Sequence, residues 1–272
     1  MEFDNSVFFR LLKDNNFECA RNYLESFVPD YLYKYYSLSD CTDDDLNNKK
    51  IDTLADNANW FDINENQNDP FDMKMAYIGD ELIKQKGACE EAVEAASKVL
   101  SQIQSSFLLC SLSNATELNL PMWAHYANNH HGFCIKYKVN NRKAIHRIFY
   151  EEKRISILDS PLEFYFEAKK SSVQGYETER LKQINELLLL LINIKHESWS
   201  YEKEFRMLYP KDDSSTGKRV TNEWITPTDV YIGVNCIDNY KQKIIKICKE
   251  KLLCNVYQAH ISKEDFLSFE QL

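Results

Sequence analysis

Glu202 and Glu204 stand two residues apart in the heptapeptide Tyr201-Glu202-Lys203-Glu204-Phe205-Arg206-Met207. The stretch contains no turn residue and reads as a strand, on which side chains two apart project from one face. Two carboxylates held side by side repel, and one of them is pushed toward the protonated form. Such a pair is costly on a structural face and useful in a cleft that handles developing positive charge. The competing reading is a solvated edge strand whose Glu and Arg side chains face water.

A second group with chemical potential is Pro121-Met122-Trp123-Ala124-His125-Tyr126-Ala127, which offers Trp, His and Tyr within four residues. Those rings suit a planar ligand such as nicotinamide or a base. The alternative is an aromatic helical turn packed into the core, with His125 satisfied by a backbone carbonyl. His125, His130 and His131 lack the i, i+4 spacing and intervening Glu of zinc hydrolases, so no metal is assigned. The acidic run Asp43-Asp44-Asp45-Leu46-Asn47-Asn48 has Asn48 and Leu54 where a calcium loop needs Gly and Glu, and reads as a solvated turn. Cys134, between Phe133 and Ile135, reads as a core thiol.

The elements that must position these groups follow from pattern. Residues 5–27 carry apolar side chains at helical spacing and read as one or two amphipathic helices ended by Pro29. Tyr31 to Tyr36 is a β-prone aromatic run. Residues 39–69 read mostly as loop and short helix, with a short strand at Asn59-Trp60-Phe61 and a turn at Asn68-Asp69-Pro70-Phe71 opening a helix. Residues 73–105 are helical with a break near Gly87. Phe107 to Leu112 and Gly132 to Val139 are strands, Ser160-Pro161 looks like an N-cap with proline at the first helical position, and Tyr176 to Glu197 a long helix. Asp229 to Val234, a helix over Asp238 to Leu253, and Val256 to Ile261 make a strand-helix-strand finish. No repeat or linker divides the chain, so the reading is an N-terminal helical segment, 1–30, followed by one α+β domain, 31–272.

Composition removes several classes. The 272 residues are 44% hydrophobic and 28% charged, a folded composition. The net charge of −9 argues against a broad grip on nucleic acid and leaves room for a local basic groove. Six glycines, none closer than eight residues to another, cannot write a dinucleotide loop, a phosphate loop or a nucleophile elbow. Eight cysteines with no C-x-x-C point to free thiols in a reducing cytoplasm, and the acidic N-terminus does not resemble a secretory signal. The longest apolar run, Leu187 to Ile192, is too short to cross a bilayer.

Four segments in order resemble a bacterial family catalogued as a domain of unknown function: Tyr33-Lys34-Tyr35, Trp60 with Asn68-Asp69-Pro70-Phe71, Met122 to Ala127 with Gly132 to Tyr137, and Trp199 to Arg206. More distantly, the pattern is similar to the ADP-ribosyltransferase superfamily, which binds NAD between two small sheets without a glycine-rich loop. That resemblance implies a split β-sheet core with flanking helices and NAD as co-substrate. It puts Tyr33 or Tyr35 in the first-strand role, Glu204 in catalysis and Glu202 upstream of it, with Ser111 or Ser113 as the middle motif. Trp60, Trp123, His125, Tyr126 and a first-strand Tyr would hold nicotinamide or the rest of the cofactor, and Lys34 or Arg206 would meet pyrophosphate. The implied activity is transfer of ADP-ribose to nucleic acid or protein by a toxin or phage-defence effector with a possible antitoxin partner. NAD glycohydrolysis and a non-catalytic nucleotide- or peptide-binding module are the alternatives.

Overall fold

The computed structural model describes residues 3–14, 16–42, 44–212, 216–264 and 266–272. Asp43 of the acidic run lies outside them. The architecture is α+β: helices flank a ten-stranded mixed sheet. Its organising strand is the aromatic run Tyr31–Tyr36, where Leu32, Lys34 and Tyr36 alternate with Tyr31, Tyr33 and Tyr35 across the two faces. Phe133–Val139 pairs with it antiparallel along its length, from Tyr31↔Lys138 to Tyr36↔Phe133. Ile225–Ile232, Asn255–Ile261 and Leu267–Gln271 continue outward on that side. Ile225–Ile232 and Asn255–Ile261 are parallel and are joined by the helix Asp238–Ile247, the strand-helix-strand finish expected from the sequence.

The other side of the Tyr31–Tyr36 strand is forked. It meets Phe107–Ser113 only at Tyr33↔Ser113, while Ala58–Asp62 meets that same strand only at Asp62↔Leu109. The opposite edge of Phe107–Ser113 is zipped to Glu204–Pro210 over its whole length, from Glu204↔Ser113 to Pro210↔Phe107. Ser111 therefore sits in the crotch of the fork, and its carbonyl accepts a hydrogen bond from the Lys34 ammonium at 3.1 Å. A backbone acceptor left without a strand partner is satisfied by a side chain instead.

One face of the sheet buries Leu32, Leu108, Cys110, Leu112, Phe133, Ile135, Phe205 and Met207 under Ile51 and Leu54 of the helix Asp45–Ala55 and Tyr240 and Ile244 of Asp238–Ile247. On the other face the helices Glu90–Ser105 and Glu179–Leu191 cover Leu109, and the short helix Leu120–Tyr126 covers Tyr33 and Tyr35. The N-terminal segment forms two helices, Asn5–Lys13 and Phe17–Ser26, capped by Asp4 and Asn16. Phe8 stacks on Phe149 with centroids 5.6 Å apart, in a cluster with Met75 and Ile194. Those helices thus sit behind a small parallel pair, Phe149–Glu151 with Ile194–His196.

Several expectations need correction. The acidic run is no solvated turn over its described residues: Asp44 caps the helix Asp45–Ala55, its side chain accepting from the Leu46 and Asn47 amides, and Asp45 to Asn48 form the first turn. Residues 201–207 do not form one strand: a 3₁₀ turn covers Glu197–Glu202, Lys203 adopts the left-handed conformation (φ 47°, ψ 49°), and the strand begins at Glu204. Asn68 to Phe71 makes a turn, in which Asp69 accepts from the Phe71 amide at 2.9 Å, but no helix follows; the chain goes to a short strand, Ala76–Tyr77. The long helix expected over Tyr176 to Glu197 covers only Glu179–Leu191, because residues 194–196 are pulled into β pairing with Phe149–Glu151. The helix near Ser160 begins at Asp159, which puts Pro161 within its first turn rather than at its first position.

Candidate active site

Lys203 is the hinge of the site. Its left-handed turn rotates the chain between Glu202 and Glu204, so the two carboxylates approach from a turn and a strand rather than from one strand face. They converge on Lys195: its ammonium lies 2.6 Å from Glu202 Oε2 and 3.0 Å from Glu204 Oε2. Arg206, two residues on along the same strand face, lies 2.7 Å from Glu204 Oε1 through Nε and 2.7 Å from Asp72 Oδ1 through a terminal nitrogen. Asp72 also lies 3.9 Å from Lys195. All five side chains are buried, Arg206 completely.

Neutral groups hold this cluster in place. Ser111 Oγ donates to Glu204 Oε1 at 2.7 Å, across the register pair Arg206↔Ser111. The Tyr126 hydroxyl donates to Glu202 Oε1, and the Glu204 amide donates to the Tyr150 hydroxyl at 2.8 Å. Lys195 also lies over the Trp199 ring, 5.0 Å from its centroid. Tyr150 and Lys195 are register partners in the small parallel pair, so one supersecondary unit delivers both.

The two carboxylates are driven in opposite directions. Burial opposes ionisation of Glu204, but the charges of Arg206 and Lys195 outweigh it and hold its pKa far below the usual carboxylate range. For Glu202 burial prevails, reinforced by the Glu204 charge against the pull of Lys195, and its pKa is raised. Burial also opposes the charge on Lys195, yet Glu204, Glu202 and Asp72 keep its pKa above the ordinary value. Three carboxylates against two cations leave one negative charge in excess within the described cluster.

The cluster floors a cleft of about 790 Å³ that runs through the fork of the sheet, within the range of small-molecule and cofactor sites. Of the residues singled out in the sequence, Tyr33, Lys34, Tyr35, Trp60, Ser111, Ser113, Tyr126, Glu202 and Glu204 line it. Tyr35 is tied down by its hydroxyl, which donates to the Thr116 carbonyl at 2.6 Å. Three others are placed differently. Trp123 is fully buried beside the cleft, edge-on to Tyr35 and stacked on His130, because its indole completes the core under the short helix. His125 lies exposed outside the cleft, bonded to the Tyr201 hydroxyl at 2.9 Å. Arg206 lies beneath the floor, spent on Glu204 and Asp72, and is not free to meet a phosphate. Cys134 is fully buried, as expected of a core thiol.

Asp72 and Lys195 escaped the sequence reading. Lys195 had one legible signal, a charge placed directly after the largely apolar run from Leu187 to Ile194. Asp72 directly follows the Asn68–Phe71 motif, but nothing local marks it as the partner of an arginine 134 positions away.

Residues 122–207 match a family described as "Protein of unknown function (DUF2971)". The matched segment supports a domain-of-unknown-function family and contains Tyr126, Lys195, Glu202, Glu204 and Arg206; Tyr33, Trp60, Asp72 and Ser111 fall before it. No curated protein and no solved structure matches the chain.

Proposed function

We propose that the forked cleft binds NAD and that the protein transfers ADP-ribose to a macromolecular acceptor, nucleic acid or protein. The observation that carries this reading is the excess negative charge at a buried, pre-arranged floor beneath tyrosine-lined walls. Cleavage of the nicotinamide–ribose bond sends its electron pair to the departing nicotinamide and leaves an oxocarbenium-like ribose, as in glycoside cleavage. A carboxylate fixed before the reaction stabilises that charge without reorganising. Glu204, locked as an anion by Arg206, Lys195 and Ser111, fills this role. Glu202, whose raised pKa suits proton uptake, accepts the proton that the acceptor loses as it attacks ribose C1. Tyr33 and Tyr126 flank the leaving nicotinamide. With water as acceptor the same site is an NAD glycohydrolase.

The test is incubation of the intact protein with NAD, with and without cell extract, following nicotinamide release and transfer of labelled ADP-ribose. The expected outcome is NAD consumption that falls by about a hundredfold or more in Glu204→Gln, as for loss of one preorganised charge-stabilising group. Turnover unchanged in both Glu204→Gln and Glu202→Gln overturns the assignment of the site. NAD binding without consumption under either condition makes the cleft a nucleotide-binding module instead. Growth arrest on expression, relieved by Glu204→Gln, is the outcome expected of a toxin or phage-defence effector; an antitoxin partner would be sought among proteins that suppress it.

A further inference from the structure

The mouth of the cleft is built from different chemistry than its floor. Leu46, Lys49, Lys50 and Thr53 all line it, and they fall at i, i+3, i+4 and i+7 on the helix Asp45–Ala55. That spacing places them on one stripe, facing the cleft, while Ile51 and Leu54, farther round the helix, are buried in the core. Across from the helix stands Trp60, and directly opposite it in the antiparallel register stands Arg219; both line the cleft.

Trp60 is 46% exposed and Leu46 58%, two large apolar side chains left open within one cavity. Large exposed apolar side chains gathered in one cavity and rimmed by polar residues mark a ligand-binding groove. The indole is also braced: a Cβ at Gly217 would come within 2.3 Å of Trp60 Cζ2, so only a glycine lets the neighbouring strand lie this close to the ring. Three cations surround the pair. Lys50 donates to the Ser37 carbonyl and hydroxyl at 2.7 and 2.8 Å, which aims its ammonium at the cleft wall. Arg219 is paired with Asp56 at the surface, both side chains being 41% and 53% exposed, a contact that exchanges readily with another anion. Lys49 is exposed.

We propose that this outer half of the cleft is a nucleoside diphosphate subsite: the base stacks on Trp60 against Leu46, and the phosphates meet Lys49, Lys50 and Arg219. Base–aromatic stacking and Lys or Arg contacts to phosphate are the two interactions those side chains supply. The orientation follows from the charge layout. Phosphates are excluded from the anionic floor and drawn to the cationic mouth, so a dinucleotide enters with its far ribose inward and its base outward. The inference rests on the NAD reading for that orientation and not for the subsite itself.

The experiment uses the intact protein and ADP, which has the base and both phosphates but no nicotinamide–ribose bond. Calorimetric titration gives its Kd for the wild type and for Trp60→Ala, Gly217→Ala and the double variant Lys49→Ala/Arg219→Ala. The expected result is binding that weakens by about five- to a hundredfold in Trp60→Ala, the range found for removing one stacking platform. Gly217→Ala weakens it in the same direction by displacing the indole. The Lys49→Ala/Arg219→Ala variant binds more weakly and loses part of the salt dependence. Thermal melts establish that each variant is folded. No ADP binding to the wild type, or binding that is indifferent to both Trp60→Ala and Gly217→Ala, overturns the subsite. ADP binding of the expected kind with no NAD cleavage keeps the subsite and removes the transfer reading; NAD cleavage without ADP binding does the reverse.

Discussion

At the scale of single residues, the site divides labour between two carboxylates that look equivalent in the sequence. Glu204 ionises more easily in the folded chain than in the unfolded one, so the stability it contributes is present at neutral pH and is lost as pH falls below the unfolded value of about 4.3. Glu202 behaves oppositely: its pKa is raised on folding, so its contribution is full below the unfolded pKa and is lost as pH rises. Removing the Glu204 charge leaves Arg206 and Lys195 buried with one partner fewer. Glu204→Gln is therefore expected to cost about 3–5 kcal/mol at pH 7, the range for breaking a buried pair, and less near pH 3, where part of that contribution is already lost. Glu202→Gln, which removes a charge whose burial is unfavourable and leaves Lys195 with Glu204 and Asp72, is expected to cost a small fraction of that. Urea denaturation of both variants at the two pH values checks the pattern; equal costs at pH 7 would contradict it.

At the scale of elements, the decisive piece is the left-handed hinge at Lys203. A non-glycine residue pays about 1–2 kcal/mol for that conformation, and here the hinge lets a turn and a strand present Glu202 and Glu204 to one ammonium. Lys203→Gly accepts the same backbone and is expected to leave both stability and NAD turnover close to wild type. Lys203→Val, whose branched Cβ resists φ near 47°, is expected to lose about 1–2 kcal/mol or more and to lower turnover through misplacement of Glu202. The pair of variants has a single check, melting temperature alongside kcat. Valine tolerated without loss in either would mean the hinge does not position the carboxylates.

At the scale of the whole molecule, the N-terminal helices brace the buried charge cluster from behind. Phe8 and Ala20 pack on Phe149, Ile194 and Met75, and the same small strand pair carries Tyr150 and Lys195 to Glu204. Phe8→Ala is expected to cost about 3–5 kcal/mol, as for other buried phenylalanine truncations. If the brace also sets the position of Lys195, Phe8→Ala lowers NAD turnover well below the wild-type rate at temperatures where the variant is still fully folded, read by circular dichroism and nicotinamide release on the same sample. Full turnover in the folded variant would restrict the helices to stability. Among the described residues no helix is long and apolar enough to cross a membrane.

What the amino-acid order determined by itself was local. β-prone aromatic and apolar runs marked Tyr31 to Tyr36, Phe107 to Leu112 and Gly132 to Val139 as strands, helical spacing marked the N-terminal helices, and the short E-x-E spacing drew attention to Glu202 and Glu204. Those signals live within a few residues and survive in the fold because burial of one face reinforces them. Tertiary structure alone decided the rest. Asp72 joins the site from 134 positions before Arg206, Lys195 is held there by its strand pairing with Tyr150, Trp123 is diverted into the core, and Glu202 reaches the floor because Lys203 breaks the strand that alternation implied. The physical reason is electrostatic: two buried carboxylates and a buried arginine demand partners, and only the folded chain can bring Lys195 and Asp72 within reach of them.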